Sequence, residues 1–436
     1  MLTLPFAMIN MPVAAYLPAF YTQDLGLSLA TVGFIVMAAR ISDIITDPLV
    51  GMLSDRLHFR FGRRRPWIIM GLPIMMLSTY MLFLPTPLVG SLYLLVWIAL
   101  LYLGWTFMAI PYQAWGAELS SNYHERSRVT AARQLFQVTG MFLAGGIPVL
   151  AARSGEGNTP IMSALGIVIV VLLPLCVLLL ITTLAEPSPV EVQRINWKRG
   201  LTIALRNGPF WRLLFATFLS MVGVSISIPL AMLFYTHVLD LGDKAPLLIM
   251  VLFSSSMVAI PVWIKISRSV SKHRVSIMAT FWGCFFFAMI AFLKPGDFYP
   301  LLVISILGGL SLSAAPIMSA SMMADVIDLD NLRSGEQRSA FYFSLFGMCM
   351  KLGFALGVGI GFPLLQFFGF DPNGTNEPSA LFALTMLYCI VPVVFYLFSV
   401  VTIWNFPITP ERQARLRILI ERRNTRLRKQ NNNFTP

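Results

Sequence analysis

Long apolar runs separated by short polar segments constrain this chain more than any other feature. A bilayer core of about 30 Å needs roughly 20 consecutive apolar residues if a helix is to cross it. Counting runs of that length predicts about twelve spanning helices. They are placed approximately at 3–22, 29–53, 67–86, 90–115, 129–152, 160–185, 209–238, 245–266, 275–293, 299–327, 339–368 and 379–405.

The composition agrees with lipid as the solvent for these runs. Hydrophobic residues make up 57% of the chain and charged residues 12%, about half the charged share of an ordinary soluble domain. The mean hydropathy of +0.74 implies more apolar surface than one soluble core could bury. We therefore expect an all-α integral membrane protein that crosses the bilayer many times.

Several classes of function fit this composition poorly. The net charge of +12 does not indicate nucleic-acid binding, because the basic residues flank apolar runs, where they orient a membrane protein. The four cysteines lie inside apolar runs without CxxC spacing, so we expect neither a disulfide framework nor a metal site. Since the sequence shows no nucleophile–base pair, metal cluster or phosphate loop, we expect no enzyme and no cofactor.

The charge of the connecting segments alternates along the chain. Basic clusters such as 60–65 occur in every second connection, and the others carry almost no basic residue. By the positive-inside rule both termini are cytoplasmic, and we expect the inner membrane of a bacterium. A basic linker at 187–208 separates two six-helix halves, 1–186 and 209–406. The basic cytoplasmic tail at 407–436 is predicted to be a helix that contacts anionic headgroups or, alternatively, a solvated helix.

The second predicted span contains three ionisable residues, Arg40, Asp43 and Asp47. Each costs about 2.5 to 3.5 kcal/mol on insertion scales, so such groups are seldom present without a partner or a role. At about 100° per residue, all three side chains fall on one stripe of a helix. Two carboxylates in a low dielectric repel each other unless a cation or a proton lies with them, which is what a coupling-ion site requires. The alternative is a structural ion pair of Arg40 with Asp43.

Neutral oxygens and further cations could complete this site. Thr46 and, from the fourth span, Thr106 could add the hydroxyl oxygens that a hard ion such as Na⁺ prefers. Arg133 in the fifth span and Lys351 in the eleventh must face the protein interior. Lys351 either neutralises a carboxylate of the second span across the two halves or takes part in function, and the two roles are compatible.

Other polar residues have weaker assignments. Asp325 and Asp328 end the tenth span near Arg338, and we interpret them as cytoplasmic gate charges, with an ordinary solvated loop as the alternative. Candidates for lining a solute path are Tyr112, Gln113 and Gln137, although most such residues in membrane helices are belt anchors or packing residues.

The second span and the loop after it closely resemble a known family. The carrying residues are Arg-Ile-Ser-Asp-Ile-Ile-Thr-Asp-Pro-Leu-Val-Gly at 40–51, Ser-Asp-Arg at 54–56 and Gly-Arg-Arg-Arg-Pro-Trp at 62–67, with Ile-Pro-Tyr at 110–112 and Ala-Asp-Val-Ile-Asp at 324–328. They are similar to the glycoside-pentoside-hexuronide:cation symporters of the major facilitator superfamily. Phe-Tyr-Thr at 20–22 and Lys351 match as well. The matches run in order from the first span to the eleventh, so the resemblance covers nearly the whole chain.

The resemblance implies the twelve-helix major facilitator fold, a central cavity and alternating access. In the melibiose-permease branch the Na⁺, Li⁺ or H⁺ site uses groups that correspond by position to Asp43, Thr46, Asp47 and Thr106. The lysine matching Lys351 lies near that site and, in related lysolipid symporters, is implicated with the substrate headgroup. The arginine matching Arg133 lies at the sugar site.

The cytoplasmic loop from Gly51 to Arg65 also resembles its counterpart in the superfamily. The resemblance implies that its acidic and basic residues, here Asp55, Arg56 and Arg63, latch the helix bundles between conformations.

Departures from the family pattern concern the substrate. The melibiose branch holds galactoside hydroxyls with carboxylates from the first and fourth spans, where this chain has Ala7 and Ala109. A polyol needs such acceptors to offset its desolvation, which argues against galactoside transport. Thr46 replaces an amide of that branch, so both Na⁺ and H⁺ stay open as coupling ions.

Three functions therefore remain open. The first is a cation symporter of a sugar or glycoside, and the second is a symporter of an amphipathic or lysolipid-like substrate. The third is a non-transporting membrane receptor or assembly protein, against which the costly intramembrane charges argue. We expect a small solute, a monovalent cation and the lipid bilayer as partners, and a monomer.

Overall fold

The structure is a computed structural model that describes most of the chain. The described residues are 1–57, 62–85, 89–118, 123–151, 159–184, 207–334 and 339–409, with 411–413, 415–416 and 418–419 of the tail. Nearly all of the predicted linker at 187–208 lies outside these residues, as does Arg338. The side chains of Asp55 and Arg56 also lie outside the described part, although their backbone belongs to a helix.

The described parts of the predicted spans are mostly helical. The helices are α1a (Thr3–Ala15), α1b (Leu17–Ala19), α2 (Leu29–Arg56), α3 (Arg65–Phe83), α4 (Ser91–Glu118), α5 (Tyr123–Ala151), α6 (Thr159–Thr183), α7 (Gly208–His237), α8 (Ala245–Ser269), α9 (Lys272–Met289), α10a (Phe298–Gly309), α10b (Ala314–Ser334), α11 (Ser339–Phe367), α12a (Pro378–Thr385) and α12b (Val391–Ile403). Short π-helical segments, Phe20–Asp24 and Met386–Ile390, follow α1b and α12a.

This arrangement fits the predicted membrane spans. In the described residues, ten helices are long and apolar enough to cross a membrane, or eleven if the bent pair in the first span counts as one. Helix α5 contains a shorter apolar stretch, Leu135–Pro148. With α5 as a further unit, the helices fit the twelve predicted spans, and the prediction of an all-α membrane protein is confirmed for the described residues.

The first span is bent by 45° between its two helical pieces. Pro12 and Pro18 flank the break at Tyr16, and each lacks the backbone N–H that a continuous helix needs. The hydroxyl of Thr22 donates to the carbonyls of Pro18 and Ala19, at 2.9 and 3.1 Å. The bend is therefore compatible with a lipid setting, because a side chain satisfies the carbonyls near it.

The tenth span, predicted as one helix, is interrupted between α10a and α10b. Gly308 and Gly309 weaken the helix at this point. Two indole groups satisfy carbonyls beside the interruption: Trp282 Nε1 donates to Leu307 O at 2.7 Å and Trp263 Nε1 donates to Leu310 O at 2.6 Å.

Helices α2 and α11 pack closely and connect the first six helices to the last six. A Cβ on Gly33 would lie 2.9 Å from Phe362 Cβ, and a Cβ on Gly359 would collide with Met37. Glycine at these two positions therefore lets the helices approach, as small residues do in membrane bundles. This contact brings the middle of α11 against the charged stripe of α2.

Three hydrogen bonds between the two sets of helices lie at the end where α2 begins and α11 finishes. We call this the predicted outer end, since the charge pattern places it away from the cytoplasm. The bonds there are Gln23 Nε2 to His237 Nε2 at 2.9 Å, the Ala30 N–H to Gln366 Oε1 at 2.8 Å, and Asn373 Nδ2 to Thr22 O at 3.2 Å. The structure is therefore closed at the predicted outer end.

Candidate cation and substrate site

Three charged side chains of α2 meet one charged side chain of α11 inside the bundle. The Lys351 ammonium donates to Asp47 Oδ2 and lies 3.4 Å from Asp43 Oδ2. Asp43 is 1% exposed, whereas the side chains of Asp47 and Lys351 are 20% and 26% exposed. A single ammonium thus bridges both carboxylates that the sequence placed on one helical stripe.

Arg40 lies at the other side of Asp43. Its Nη1 is 3.9 Å from Asp43 Oδ2, which is a long contact for an ion pair. The guanidinium instead stacks between aromatic rings, 4.2 Å from the Tyr102 centroid in α4 and 5.0 Å from the Phe354 centroid in α11. Cation–π contacts of this kind strengthen when water is excluded, so Arg40 is held mainly by the two rings.

Sequence reasoning missed Tyr102 and Phe354. Tyr102 lies one helical turn before Thr106, and Phe354 lies three residues after Lys351, so both project from the faces that carry predicted site residues. The sequence signal that could have identified them was an aromatic residue one helical turn from Thr106 and from Lys351.

The two threonines predicted for the cation site have different environments. Thr106 Oγ1 donates to Asp47 Oδ1 at 2.9 Å and so fixes the orientation of that carboxylate. Thr46 Oγ1 is buried without a hydrogen-bond partner, as is Asp43 Oδ1. Buried polar oxygens without partners are costly, and uncommitted carboxylate and hydroxyl oxygens are what a hard monovalent cation would require as ligands.

The charges of the cluster balance in this state. Asp43 and Asp47 contribute two negative charges, and Arg40 and Lys351 contribute two positive charges. Because uncompensated charge is expensive in a low dielectric, withdrawal of Lys351 would leave one negative charge. One monovalent cation is the amount of charge that would restore neutrality.

The remaining substrate-site candidates lie on α4 and α5. The Arg133 guanidinium is 5.1 Å from the Tyr112 ring centroid, and Thr3 Oγ1 donates to the Arg133 carbonyl at 3.0 Å. The structure therefore brings Arg133 and Tyr112 together beside α1a. Gln113 is exposed and Gln137 is half-buried.

Apolar groups lie at and near Ala7 and Ala109, the two positions where the melibiose branch has sugar-binding carboxylates. Ala7 and Ala109 are buried, and the Phe6 ring lies 4.7 Å from Trp105 and 6.3 Å from Tyr112 between ring centroids. The wall beside Arg133 is thus aromatic.

The described gate candidates lie at the opposite end of the bundle from the predicted outer end. Arg63 is buried and Asp328 is half-buried. Asp325 is buried rather than solvated, and it accepts from Lys272 Nζ at 2.6 Å and from Gln413 Nε2. These contacts of Asp325 join α10b to α9 and to the tail.

Comparison with known proteins relates the chain to membrane transporters. A family model described as MFS/sugar transport protein matches residues 1–410. The putative glycoside/cation symporter YagG of Escherichia coli (strain K12) is 26% identical, over 90% of its length and 93% of this chain. The sodium-dependent lysophosphatidylcholine symporter 1 of Homo sapiens is 24% identical, over 76% of its length and 87% of this chain.

Solved structures share the fold. The xylose transporter XylE from E. coli, in a partially occluded inward open conformation, superposes with a TM-score of 0.65 at 15% identity. The match covers 93% of this chain and 97% of XylE. At this identity, the likeness shows the fold alone.

Proposed function

Since the chain belongs to the MFS/sugar transport protein family and is a membrane transport protein of the symporter type, we propose that it couples a monovalent cation, Na⁺ or H⁺, to the uptake of a sugar or glycoside. Asp43 and Asp47 bind the cation, with Thr46 and Thr106 as neutral partners. Lys351 links this site to the second half of the chain.

The observation that carries this proposal is the bridging position of Lys351 between the two carboxylates of α2. In that position, the Lys351 ammonium supplies the positive charge that a bound coupling cation would otherwise supply. Lys351 belongs to α11, whereas both carboxylates belong to α2. Binding of a cation therefore favours separation of these helices, and loss of the cation favours their contact.

Such competition supplies a physical basis for alternating access. A cation can shift a conformational equilibrium only if it binds one state better than the other. In the state closed at the predicted outer end, Lys351 already neutralises the carboxylates, so this state binds the cation weakly. A state in which α11 has moved leaves the carboxylates free and binds the cation tightly.

The substrate site of the proposal is the region around Arg133 and Tyr112. A guanidinium with five donors can bind sugar hydroxyls or an anionic headgroup, and aromatic rings can stack on the apolar face of either. The relatives include both a putative glycoside/cation symporter and a lysophosphatidylcholine symporter. The buried Ala7 and Ala109, together with the Phe6 ring against Tyr112, favour an amphipathic substrate as the second candidate.

Uptake by purified protein in vesicles tests the cation site. We expect Asp43→Asn and Asp47→Asn to abolish cation-driven accumulation while the protein remains folded, because each removes a charge that the cation needs. Asp243→Asn removes an exposed carboxylate outside the site and is the matched control. Concentrative uptake at the normal rate by both site variants would contradict the assignment.

A second measurement separates the substrate candidates. Binding of simple glycosides and of lysophospholipids is compared for the wild type and for Arg133→Gln. We expect Arg133→Gln to weaken substrate binding by about tenfold or more, since one charge-assisted hydrogen bond contributes roughly 1.5 to 3 kcal/mol. Stabilisation by the cation should be unchanged, and a loss of cation response in this variant would argue against a separate substrate site.

A further inference from the structure

A cavity of about 490 Å³ lies at the predicted cytoplasmic end of the last six helices. Its walls come from the start of α7, the end of α10b and the segment that follows α12b. It shares no lining residue with the cation and substrate site. A volume of this size is within the range of sites that hold small organic ligands.

Three of the side chains that line this cavity carry positive charge. Arg212, Arg412 and Arg415 line it, and none of its described lining residues is acidic. Arg212 Nη1 donates to Asn405 O at 3.1 Å and Arg412 Nη1 donates to Pro407 O at 2.8 Å. These carbonyls position two of the guanidinium groups but do not neutralise them.

The rest of the wall is apolar. Leu329 contributes from α10b, and Leu416 and Leu419 contribute from the tail. The described tail residues from 411 onward are helical, and spacings of four and seven residues place Arg412, Leu416 and Leu419 on one helical face. The cavity therefore presents cations beside hydrocarbon, as an amphiphile with an anionic head requires.

The tail segment is attached to the helix bundle. Gln413 Nε2 donates to Asp325 Oδ1, and Lys272 Nζ donates to the other oxygen of the same carboxylate, Oδ2. The Gln413 N–H donates to the Thr409 carbonyl at 2.9 Å. Since Gln413 lies between Arg412 and Arg415 in the chain, this anchor fixes the arginine-bearing face against the end of α10b.

Exposed tryptophans mark the depth of the cavity in the membrane. Trp211 is 41% exposed and precedes Arg212, and Trp404 is 55% exposed at the end of α12b. Tryptophan is enriched where helices pass from hydrocarbon to headgroups. The three arginines then lie at the depth of lipid phosphates, where anionic lipids attract basic residues.

We propose that this cavity binds one anionic phospholipid, with its phosphate at Arg212, Arg412 and Arg415 and its first acyl carbons against Leu329, Leu416 and Leu419. The proposal is independent of the transported substrate. Of the two alternatives for the tail, it favours a lipid-binding helix over a solvated one for the described residues.

Direct binding to the purified full chain in detergent tests this proposal. The probe is dioctanoyl phosphatidylglycerol, titrated by calorimetry or native mass spectrometry against dioctanoyl phosphatidylcholine. We expect phosphatidylglycerol to bind at one preferred site. Each arginine near an anionic lipid contributes about fivefold in affinity, so Arg412→Gln with Arg415→Gln should weaken binding about 25-fold. The double lysine variant, which keeps the charge, should lose much less.

A matched double variant controls for general surface charge. Lys265→Gln with Lys294→Gln removes the same charge from exposed positions that do not line the cavity, one in α8 and one between α9 and α10a, and it should change affinity by less than about twofold. Equal losses in the two double variants would overturn the proposal. So would equal binding of the two lipids, or displacement of the lipid by inorganic phosphate alone.

Discussion

Replacing Lys351 by methionine tests how the charge cluster is balanced. Methionine keeps much of the side-chain volume but leaves Asp43 and Asp47 with Arg40 as their one positive neighbour in the cluster. Breaking a fully buried ion pair costs roughly 3 to 5 kcal/mol. Because the side chains of Asp47 and Lys351 are 20% and 26% exposed, water screens part of the loss, and we expect destabilisation of about 2 to 3 kcal/mol.

A coupling cation should reverse this loss. A ligand that binds the folded state stabilises it by RT ln(1 + [L]/Kd), which is about 2.7 kcal/mol at a hundredfold excess over Kd. The stability of Lys351→Met should therefore depend strongly on Na⁺ or on acidic pH, whereas in the wild type the cation must compete with the ammonium. Adding Asp47→Asn to Lys351→Met restores neutrality, so the double variant should recover stability and lose the cation response.

The assay is thermal unfolding in detergent at constant ionic strength, with choline chloride exchanged for NaCl or LiCl and with pH varied separately. Lys265→Met, at an exposed lysine of α8, is the control for loss of one positive charge. If Lys351→Met unfolds at the wild-type temperature under all conditions, the cluster does not depend on Lys351 for its charge balance. If it is destabilised but no cation restores it, the cluster is a structural ion-pair network.

Two further predictions concern the oxygens of the site and the contact between the halves. Thr46→Val should weaken the cation response of the stability assay with little change in baseline stability, because the Thr46 hydroxyl makes no hydrogen bond. Thr106→Val should instead lower baseline stability by about 1 to 2 kcal/mol, because it removes the hydrogen bond to Asp47. Gly33→Ala should shift the protein away from the state closed at the predicted outer end, because the new Cβ would lie 2.9 Å from α11, whereas Gly347→Ala in α11 meets nothing within 4 Å. Labelling of a cysteine at the buried Thr22 position by an impermeant reagent should be faster in the Gly33→Ala protein alone, and equal rates in both glycine variants would contradict this.

The fold was largely predictable because lipid imposes a simple rule on the sequence. Each span needs an uninterrupted apolar run, and backbone hydrogen bonding in hydrocarbon leaves the helix as the available structure. Boundaries were less predictable where helices continue past the apolar run. Helix α2 extends to Arg56, three residues beyond its predicted end, since a helix can continue into the headgroup region with polar side chains.

The interruption of the tenth span shows a different limit. The run 299–327 has the length and apolarity of one helix, and Gly308 with Gly309 was compatible with an intact helix. The structure breaks there, and Trp263 and Trp282, distant in sequence, donate to carbonyls beside the break. Such long-range donors cannot be assigned from local sequence.

The candidate site was likewise predictable only in part. The common stripe of Arg40, Asp43 and Asp47 followed from helical periodicity within one element. Which carboxylate Lys351 contacts could not be predicted, because both were possible partners and lie 304 residues or more away in the sequence. The structure shows that Lys351 contacts both, which changes the interpretation from a simple pair to a shared cation position.

In the proposed function, this shared position of Lys351 places the cation coupling at the contact between the two halves. If Lys351 paired with Asp47 alone, its movement would free only that carboxylate, and Asp43 would keep the same long contact to Arg40 in both states. Because Lys351 contacts both carboxylates, its movement frees both together, and the change in local charge is one full unit. A difference of that size in a low dielectric is worth several kcal/mol, comparable to the roughly 5.5 kcal/mol needed to invert a two-state population from 1:99 to 99:1. The opposing charges of α2 and α11 are therefore sufficient in magnitude to connect cation binding with closure at the predicted outer end.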